Sequence, residues 1–411
     1  MSASRTINRP EYSTAPAGEI GLNATILAAV VLITSIAPLA TDMYVPAFPA
    51  VARDLQASAT EVQLTLTTFF VGMALGQLVG GPVSDKLGRR LPLLISLAIL
   101  TLASLVCAVS PSIPVMLAAR FVQGLSGGWA MVVARSMVVD LTSGPRLVRS
   151  LNLVAGVAGV APIVGPLVGA AVLQFSHWRV SFWLVAALSV VMLVVTTLGV
   201  PETLPSGRRH QGGLARLVRP AGTVLRNRVF TGYLLVFALS MGTIFAYVAA
   251  SAFVLQSMNG LSPTQYSMAF AFNAVGLTLA TLAAARLAGR VRTSTVVAVG
   301  LAVTAGAGVA LLVGALWFDM PLPVALIGFF VLMSAQGLVG PNAGALASAA
   351  VPENPGTGSA LLGFLQWCLA GVVAPIAGLG GEATAVPMAS IVVVLAVMSG
   401  LALRLAHRRP R

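Results

Sequence analysis

The chain has 411 residues, of which 57% are hydrophobic and only 9% are charged. Charged residues make up about 25% of an ordinary soluble domain, so this composition excludes a soluble globular protein. The formal net charge of +13 does not predict nucleic-acid binding, because the basic residues fall in short loops between apolar segments. The two cysteines, Cys107 and Cys368, fall within apolar segments and predict neither a disulfide nor a metal site.

Twelve apolar segments are long enough to cross a bilayer, which takes about 20 apolar residues as a helix. We therefore predict an all-α integral membrane protein. Residues 1–21 form a predicted cytoplasmic N-terminal tail, in which we expect no removable signal peptide, and 406–411 form a predicted cytoplasmic tail. The predicted spans are 22–48, 62–82, 91–110, 114–138, 148–174, 179–200, 229–256, 264–285, 293–316, 322–347, 356–380 and 386–405.

The distribution of Lys and Arg predicts the orientation of the spans. Of the 24 basic residues, only Arg53 and Arg179 fall in outer loops if both termini are cytoplasmic, and Arg120 and Arg135 lie within span 4. The others fall in the cytoplasmic tails and loops of this arrangement. Because Lys and Arg favour the cytoplasmic side, the sequence predicts that both termini are inside.

Span 1 carries the only acid predicted within a span, Asp42. Arg120 of span 4 lies at a similar depth, roughly 10 Å below the outer surface at about 1.5 Å per residue. Ionisable groups in a membrane are costly and indicate function, and a buried carboxyl group changes protonation when a neighbouring cation leaves it. The pair is therefore suited to carry a proton. The alternatives are an interfacial cap for Asp42 and a structural pin to backbone carbonyls for Arg120; Arg135 and Asp140 are interpreted as snorkelling or as an interfacial ion pair.

The stretch between spans 2 and 3 is Gly81-Pro82-Val83-Ser84-Asp85-Lys86-Leu87-Gly88-Arg89-Arg90. It places an acid and three bases within ten residues of an otherwise apolar region. Gly81 and Gly88 permit tight backbone turns. We predict a charged hairpin that holds two membrane helices together on the cytoplasmic side.

Two spans are rich in glycine. Gly72, Gly76 and Gly80 repeat every four residues on one face of span 2, which favours close packing of helices. Span 5 combines glycines with two prolines, and this composition predicts a bendable helix that takes part in conformational change. The residues concerned are Gly156, Gly159, Pro162, Gly165, Pro166 and Gly169.

Residues 201–228 form the longest loop, which is basic, polar and close to the middle of the chain. We predict that it is a cytoplasmic linker between two six-helix bundles, one at 22–200 and the other at 229–405.

A weak internal repeat supports this division. Lys86-Leu87-Gly88-Arg89 leads into span 3, and Leu287-Ala288-Gly289-Arg290 leads into span 9. Aligning the two glycines places Arg286 opposite Asp85, so the second copy lacks the acid.

Polar and aromatic residues on many spans suit a broad, mostly apolar substrate cavity with few polar anchors. Taken singly, each is better explained by a hydrogen bond between helices. Together with Asp42 and Arg120, the predicted cavity residues are Tyr44, Gln77, Tyr247, Asn273, Asn342 and Gln366.

Several stretches resemble one family, in order, along most of the chain. The charged stretch from 81 to 90 resembles the loop between helices 2 and 3 of major facilitator transporters. Asp42-Met43-Tyr44-Val45-Pro46 resembles the end of helix 1 in the bicyclomycin-resistance (Bcr/CflA) branch of drug/proton antiporters. Arg120-Phe121-Val122-Gln123-Gly124 resembles the Arg-x-x-Gln-Gly motif of helix 4, which is assigned to proton transfer, and span 5 resembles the antiporter motif of drug exporters.

The resemblance implies a major facilitator fold, with twelve transmembrane helices in two pseudo-symmetric halves. It implies that Asp42 is protonated and shapes drug binding, and that Arg120 couples protonation to that site. It also implies that Asp85, Gly88 and Arg89 latch the halves together on the inner side when the cavity faces outward.

The chain departs from the family pattern in three places. Thr34 stands where some related exporters carry a second acid on helix 1. Ala161 and Ala170 replace glycines of the full antiporter motif, and Val139 replaces an Arg before the acid that ends helix 4.

The sequence thus predicts a proton-coupled exporter of lipophilic, neutral or weakly cationic small molecules that works by alternating access in a bacterial inner membrane. We expect a monomer that uses protons as the coupling ion and takes no other cofactor, metal or nucleic acid. The sequence shows no phosphate-binding loop and no catalytic motif, so neither an ATP-driven pump nor an enzyme is predicted. The alternative is a transporter of the same fold, importer or exporter, for a sugar, an amino acid or an organic anion.

Overall fold

The computed structural model describes residues 22–209 and 215–407, which are almost entirely α-helical. The predicted tail at 1–21 and the last residues of the predicted C-terminal tail lie outside the described part of the chain. The helices are α1 (Ala24–Asp42), α2 (Phe48–Asp54), α3 (Ala59–Leu87), α4 (Arg90–Val109), α5 (Ile113–Leu141), α6 (Gly144–Ala158), α7 (Ala161–Phe175), α8 (Arg179–Gly199), α9 (Ala215–Arg226), α10 (Arg228–Ala252), α11 (Pro263–Leu287), α12 (Thr293–Trp317), α13 (Leu322–Ala349), α14 (Pro355–Ala377) and α15 (Val386–His407).

Ten helices in the described ranges are long and apolar enough to cross a membrane. In chain order, the two other predicted spans correspond to α5, which carries Arg120 and Arg135, and to α6 together with α7. The prediction of an all-α, multi-pass membrane protein is confirmed.

Span 5 is two helices rather than the single bendable helix predicted at 148–174. α6 ends at Ala158 and α7 begins at Ala161. Pro162 stands in the first turn of α7, where its missing N–H removes no helical hydrogen bond. The helical hydrogen bonds of α6 therefore stop before the proline, and a new helix begins in the middle of the span.

Span 1 also ends earlier than the predicted 22–48. α1 stops at Asp42, and the chain continues through a 3-10 turn at Val45–Ala47 into α2. Pro46 and Pro49 lie in the first turns of these two elements, since neither can donate to a continuing helix. Asp42 is thus the last residue of α1 and lies beside the turn that joins α1 to α2.

The linker at 201–228 is more ordered than the predicted polar loop. It contains a 3-10 turn at Ser206–Arg208 and helix α9, and 210–214 lie outside the described residues. Val224 of α9 is buried in one apolar cluster with Phe230 and Tyr233 of α10. An apolar contact therefore fixes the end of the linker to the second group of helices.

The small-residue face predicted on span 2 packs against α5. Gly72 and Gly76 of α3, and Gly124 and Gly128 of α5, each lie so close to the opposite backbone that an added Cβ atom would overlap it. Glycines on both partners let the two helices meet backbone to backbone. The packing interpretation of this face is confirmed.

Helices α1–α8 and α10–α15 form two groups, the first and second half, which touch at the outer end of the molecule. Three side chains donate hydrogen bonds across this boundary, and we call these contacts the outer gate. They are Thr60 Oγ1 to the Gly378 carbonyl at 2.8 Å, Gln63 Nε2 to the Ala249 carbonyl at 2.9 Å, and Gln256 Nε2 to the Pro46 carbonyl at 3.0 Å.

Farther inward, the halves meet through Phe70, whose ring centroid lies 4.5 Å from that of Phe245 and 5.5 Å from that of Trp367. Gln77 is the next cross-half contact, because a Cβ atom added at Gly363 would lie 2.9 Å from its Oε1. Among the described residues, no hydrogen bond or ion pair joins the halves on the cytoplasmic side of Gln77. The contacts between the halves in the described ranges thus lie at the outer end and at mid-depth, as expected of an inward-facing arrangement.

Candidate functional site

Asp42 is a buried carboxyl group at the C-terminal end of α1, with 6% of its surface exposed. Thr41 Oγ1 donates a hydrogen bond to its Oδ1 at 3.1 Å. No Lys, Arg or His nitrogen in the described ranges lies within 4.0 Å of its oxygens. A carboxyl group buried without a cation is costly to keep charged, so its environment favours binding a proton.

Helix α7 packs directly onto Asp42 through glycine. A Cβ atom added at Gly165 would lie 2.9 Å from Asp42 Cβ, and one added at Gly169 would overlap the Met43 carbonyl. Pro166 is buried between these two glycines. Gly156, by contrast, lies on α6 with open space beside it. Only the outer part of the predicted antiporter motif thus contacts the buried acid.

Arg120 is fully buried on α5, and its Nη1 donates to the Ala40 carbonyl at 3.2 Å and to Gln123 Oε1 at 2.6 Å. The predicted contact between Arg120 and Asp42 is not an ion pair in this conformation. Instead, the guanidinium binds the backbone of α1 two residues before Asp42. The alternative of a pin to a backbone carbonyl therefore describes its contact here, and its coupling role stays a prediction.

Three aromatic rings surround the Arg120 guanidinium. Its central carbon lies 4.2 Å from the ring centroid of Phe69, 5.2 Å from Tyr44 and 5.7 Å from Phe182. Nε and Nη2 have no hydrogen-bond partner in the described part of the protein. Cation–π contacts partly replace the water that this charge has lost. Sequence reasoning missed Phe69 and Phe182, because nothing in an apolar span marks which ring will face a charge.

Several predicted cavity residues lie in closed packing instead. Tyr44 is fully buried, with its hydroxyl 3.1 Å from Thr65 Oγ1. Tyr247 is fully buried and accepts a hydrogen bond from Asn273 Nδ2 at 2.9 Å. For Tyr44, Tyr247 and Asn273 the alternative, a hydrogen bond between helices, describes the contact in this conformation, because each polar group is satisfied between packed helices. Their place in a substrate cavity stays a prediction.

The other predicted cavity residues are partly exposed. Gln77 Nε2 donates to Met131 Sδ at 3.7 Å, and Asn342 Nδ2 donates to the Leu338 carbonyl of its own helix at 2.8 Å. Gln366 is half-buried on α14. Their accessibility fits the predicted cavity, but the residues lie on separate helices and form no cluster of polar contacts.

The cytoplasmic charged stretch forms a compact network around Arg89. Its Nη1 donates to Asp85 Oδ1 at 2.6 Å and to Ser84 Oγ at 2.7 Å, and its Nε donates to Asp140 Oδ2 at 2.8 Å. Burial opposes the charge of Arg89, but the hydrogen bonds and charges of Asp140 and Asp85 raise its pKa above the usual value. Asp140 was interpreted as an interfacial residue, and its partner proves to be Arg89.

Glu202, at the start of the linker, completes this network. Its Oε1 accepts from the backbone N–H groups of Arg89 at 2.8 Å and Leu204 at 2.9 Å, and its Oε2 accepts from Arg90 N at 3.3 Å. Arg90 Nη2 also donates to the Thr197 carbonyl at 2.7 Å. Glu202 was not among the predicted site residues.

All partners in this network belong to the first half or the linker. The predicted latch between halves is therefore not formed in this inward-facing arrangement, and its role in an outward-facing one stays a prediction. Gly81 has open space around it, whereas Gly88 adopts a φ of 95° that favours glycine.

Comparison with known proteins agrees with this architecture. The family model described as Major Facilitator Superfamily matches residues 30–375. The uncharacterized MFS-type transporter YdgK of Bacillus subtilis is 36% identical over 373 residues, which cover 90% of this chain and 92% of that protein. The bicyclomycin resistance protein homolog of Haemophilus influenzae is 28% identical over 371 residues, which cover 90% of this chain and 93% of that protein.

Among solved structures, a bacterial homolog of the human lysosomal transporter Spinster superposes with a TM-score of 0.72 at 15% identity. The match covers 94% of this chain and 97% of that chain, and it shows a shared fold. The relatives confirm the resemblance to the drug-resistance branch that the motifs indicated. This chain belongs to the Major Facilitator Superfamily and is a multi-pass membrane transporter.

Proposed function

We propose that this transporter exports lipophilic, neutral or weakly cationic small molecules in exchange for protons. The observation that carries the proposal is Asp42, a buried acid at the point where α7 packs on α1, with no basic partner among the described residues. The resistance-protein relative supports the choice of drug-like compounds. Protons are the coupling ion, and transport is secondary active.

The geometry suggests how protonation acts on conformation. Protonated Asp42 is neutral and fits the closed packing of α7 against α1. The charged form favours water, so loss of the proton favours separation of these helices and admits substrate to the same region. Because Arg120 donates a hydrogen bond to the Ala40 carbonyl, the Arg120 side chain can follow a movement of the C-terminal end of α1.

The test is substrate-evoked proton release from energised inside-out vesicles, followed with a pH-sensitive dye. The panel includes neutral chloramphenicol and lipophilic weak bases. Wild type is expected to release protons with at least one compound, and Asp42→Asn is expected to give no release above vesicles that lack the protein. Asp319→Asn is the matched control, because Asp319 is an exposed acid on an outer turn with a φ of 51°, which Asn also tolerates.

Each outcome is decisive for one part of the proposal. If Asp42→Asn responds like wild type, Asp42 is not the proton carrier. If wild type releases no proton with any compound, drug/proton exchange loses its support. The same assay with sugars, amino acids and organic anions then tests the alternative, a metabolite transporter of this fold.

A further inference from the structure

Arg135 is a second cation of α5 that the mechanism above does not use. It lies six residues before the end of the helix at Leu141, or about 9 Å inside it at about 1.5 Å per residue. Its side chain is exposed, although Val133 and Ala134 beside it are buried. A guanidinium that faced lipid at this depth would be costly, so we place it in a water-accessible space between helices.

The helix face that carries Arg135 looks toward the gap between the halves. Met131 lies one turn earlier on this face and accepts the hydrogen bond from Gln77. Gln77 in turn contacts the second half at Gly363. Since no hydrogen bond or ion pair of the described residues joins the halves on the cytoplasmic side of Gln77, we place Arg135 at the mouth of a gap between them.

No nearby acid neutralises this cation. In the described part of the chain, no carboxylate lies within 4.0 Å of Arg135. Asp140 and Asp85 both pair with Arg89, and Glu202 is held by backbone N–H groups and Arg209. Of the two interpretations of Arg135 and Asp140, the ion pair is therefore not formed and snorkelling stays a prediction. The positive charge remains available to whatever enters the gap.

We propose that Arg135 selects substrates by charge at the cytoplasmic mouth of the transport pathway. It admits neutral lipophilic compounds and weak bases in their uncharged form, and it excludes permanent cations. This inference rests on the proposed export of lipophilic compounds and narrows their class. The physical reason is Coulomb repulsion, which is strong in a partly desolvated space and has no counter-charge here to cancel it.

The experiment measures equilibrium binding of tetraphenylphosphonium, a permanent lipophilic cation, and of neutral chloramphenicol to the purified full-length protein. Arg135→Gln is expected to bind tetraphenylphosphonium about tenfold more tightly than wild type, with chloramphenicol binding unchanged within about twofold. Arg135→Lys keeps the charge and should behave like wild type. Arg146→Gln is the matched control, since Arg146 is an exposed base at the start of α6.

Two results would overturn the proposal. One is equal binding of tetraphenylphosphonium by wild type and Arg135→Gln, and the other is an equal gain in Arg135→Gln and Arg146→Gln. If Arg135→Gln does not fold, wild type alone still tests the idea. Raising salt from about 0.1 M to about 1 M shortens the Debye length from about 10 Å to about 3 Å, so it must strengthen tetraphenylphosphonium binding and leave chloramphenicol unaffected. Because binding is measured without proton exchange, failure here is distinguishable from failure of the proposed antiport.

Discussion

The cytoplasmic turns before α4 and before α12 each contain a glycine with positive φ, but they differ in their charges. Gly88 in the first turn has a φ of 95°, and Gly289 in the second has a φ of 82°. Both values favour glycine, and this explains why the repeat in the sequence is clearest at these two positions. The positive φ is therefore the feature that the two turns have in common.

The residues that follow the two glycines have different surroundings. Arg89 is buried and bonded to Asp85 and Asp140, whereas Arg290 is exposed and has no carboxylate within 4.0 Å among the described residues. The glycine turn and the charge network are therefore separable features. Both halves contain the glycine turn, whereas the charge network belongs to the first half, where it also fixes the linker through Glu202.

The largest expected difference in stability is between the variants that lack Arg89 and Arg290. Arg89→Ala leaves Asp140, whose side chain is 15% exposed, without its cation, and we expect a loss of about 3 kcal/mol in stability. Arg290→Ala should stay within about 0.5 kcal/mol of wild type. Thermal unfolding of both purified variants in the same detergent checks this, and equal midpoints would contradict the idea that only the first turn carries a network.

A smaller difference in stability is expected between the alanine variants of Gly88 and Gly289. Gly88→Ala places a Cβ atom against the Glu202 carboxylate and 2.8 Å from Arg209 Nη2, in addition to the strained φ, and we expect a loss of about 2 kcal/mol. Gly289→Ala meets no atom within 4 Å and should lose about 1 kcal/mol from backbone strain alone. The same unfolding assay decides, and a larger loss at Gly289 is the outcome that contradicts this ranking.

The smallest effect is expected from giving the second turn an acid. Arg286→Asp restores the acid that the alignment places opposite Asp85, but the described residues offer no second acid like Asp140 beside Arg290. An exposed pair of this kind contributes little, so stability should stay within about 0.5 kcal/mol of wild type. A clear stabilisation would show that one acid is enough to build the network, and Arg286→Asn serves as the control that removes the arginine without adding an acid.

Much of the fold follows from apolar length and from proline and glycine positions. The short gap between the predicted spans 91–110 and 114–138 separates α4 from α5, and most span bounds agree with the helices within a few residues. The break between α6 and α7 and the early end of α1 at Asp42 were not predicted, because a hydropathy window averages over a few residues that change direction. Helix α9 was missed for the opposite reason, since its apolar contact through Val224 lies in a segment that reads as polar.

The sequence predicted which charged residues form the candidate site, but it did not predict which groups they contact. Burial at Asp42 and Arg120 follows from their place in apolar spans. The partner of Arg120 could not be predicted, because backbone carbonyls and aromatic rings compete with the acid, and only the rotation of each helix decides between them. Depth along a span is readable from the sequence, whereas helix rotation depends on packing against every neighbour.

The outer gate has a consequence for how this transporter can change by mutation. In each of its three hydrogen bonds a side chain donates to a backbone carbonyl of the other half, at Gly378, Ala249 and Pro46. No substitution can delete a carbonyl acceptor. Substitutions at Thr60, Gln63 and Gln256 remove these bonds directly, whereas on the acceptor side a change at Gly378 acts by overlap, since an added Cβ atom would collide with Gln63. The donors therefore offer the graded evolutionary route to a shifted balance between open and closed outer faces.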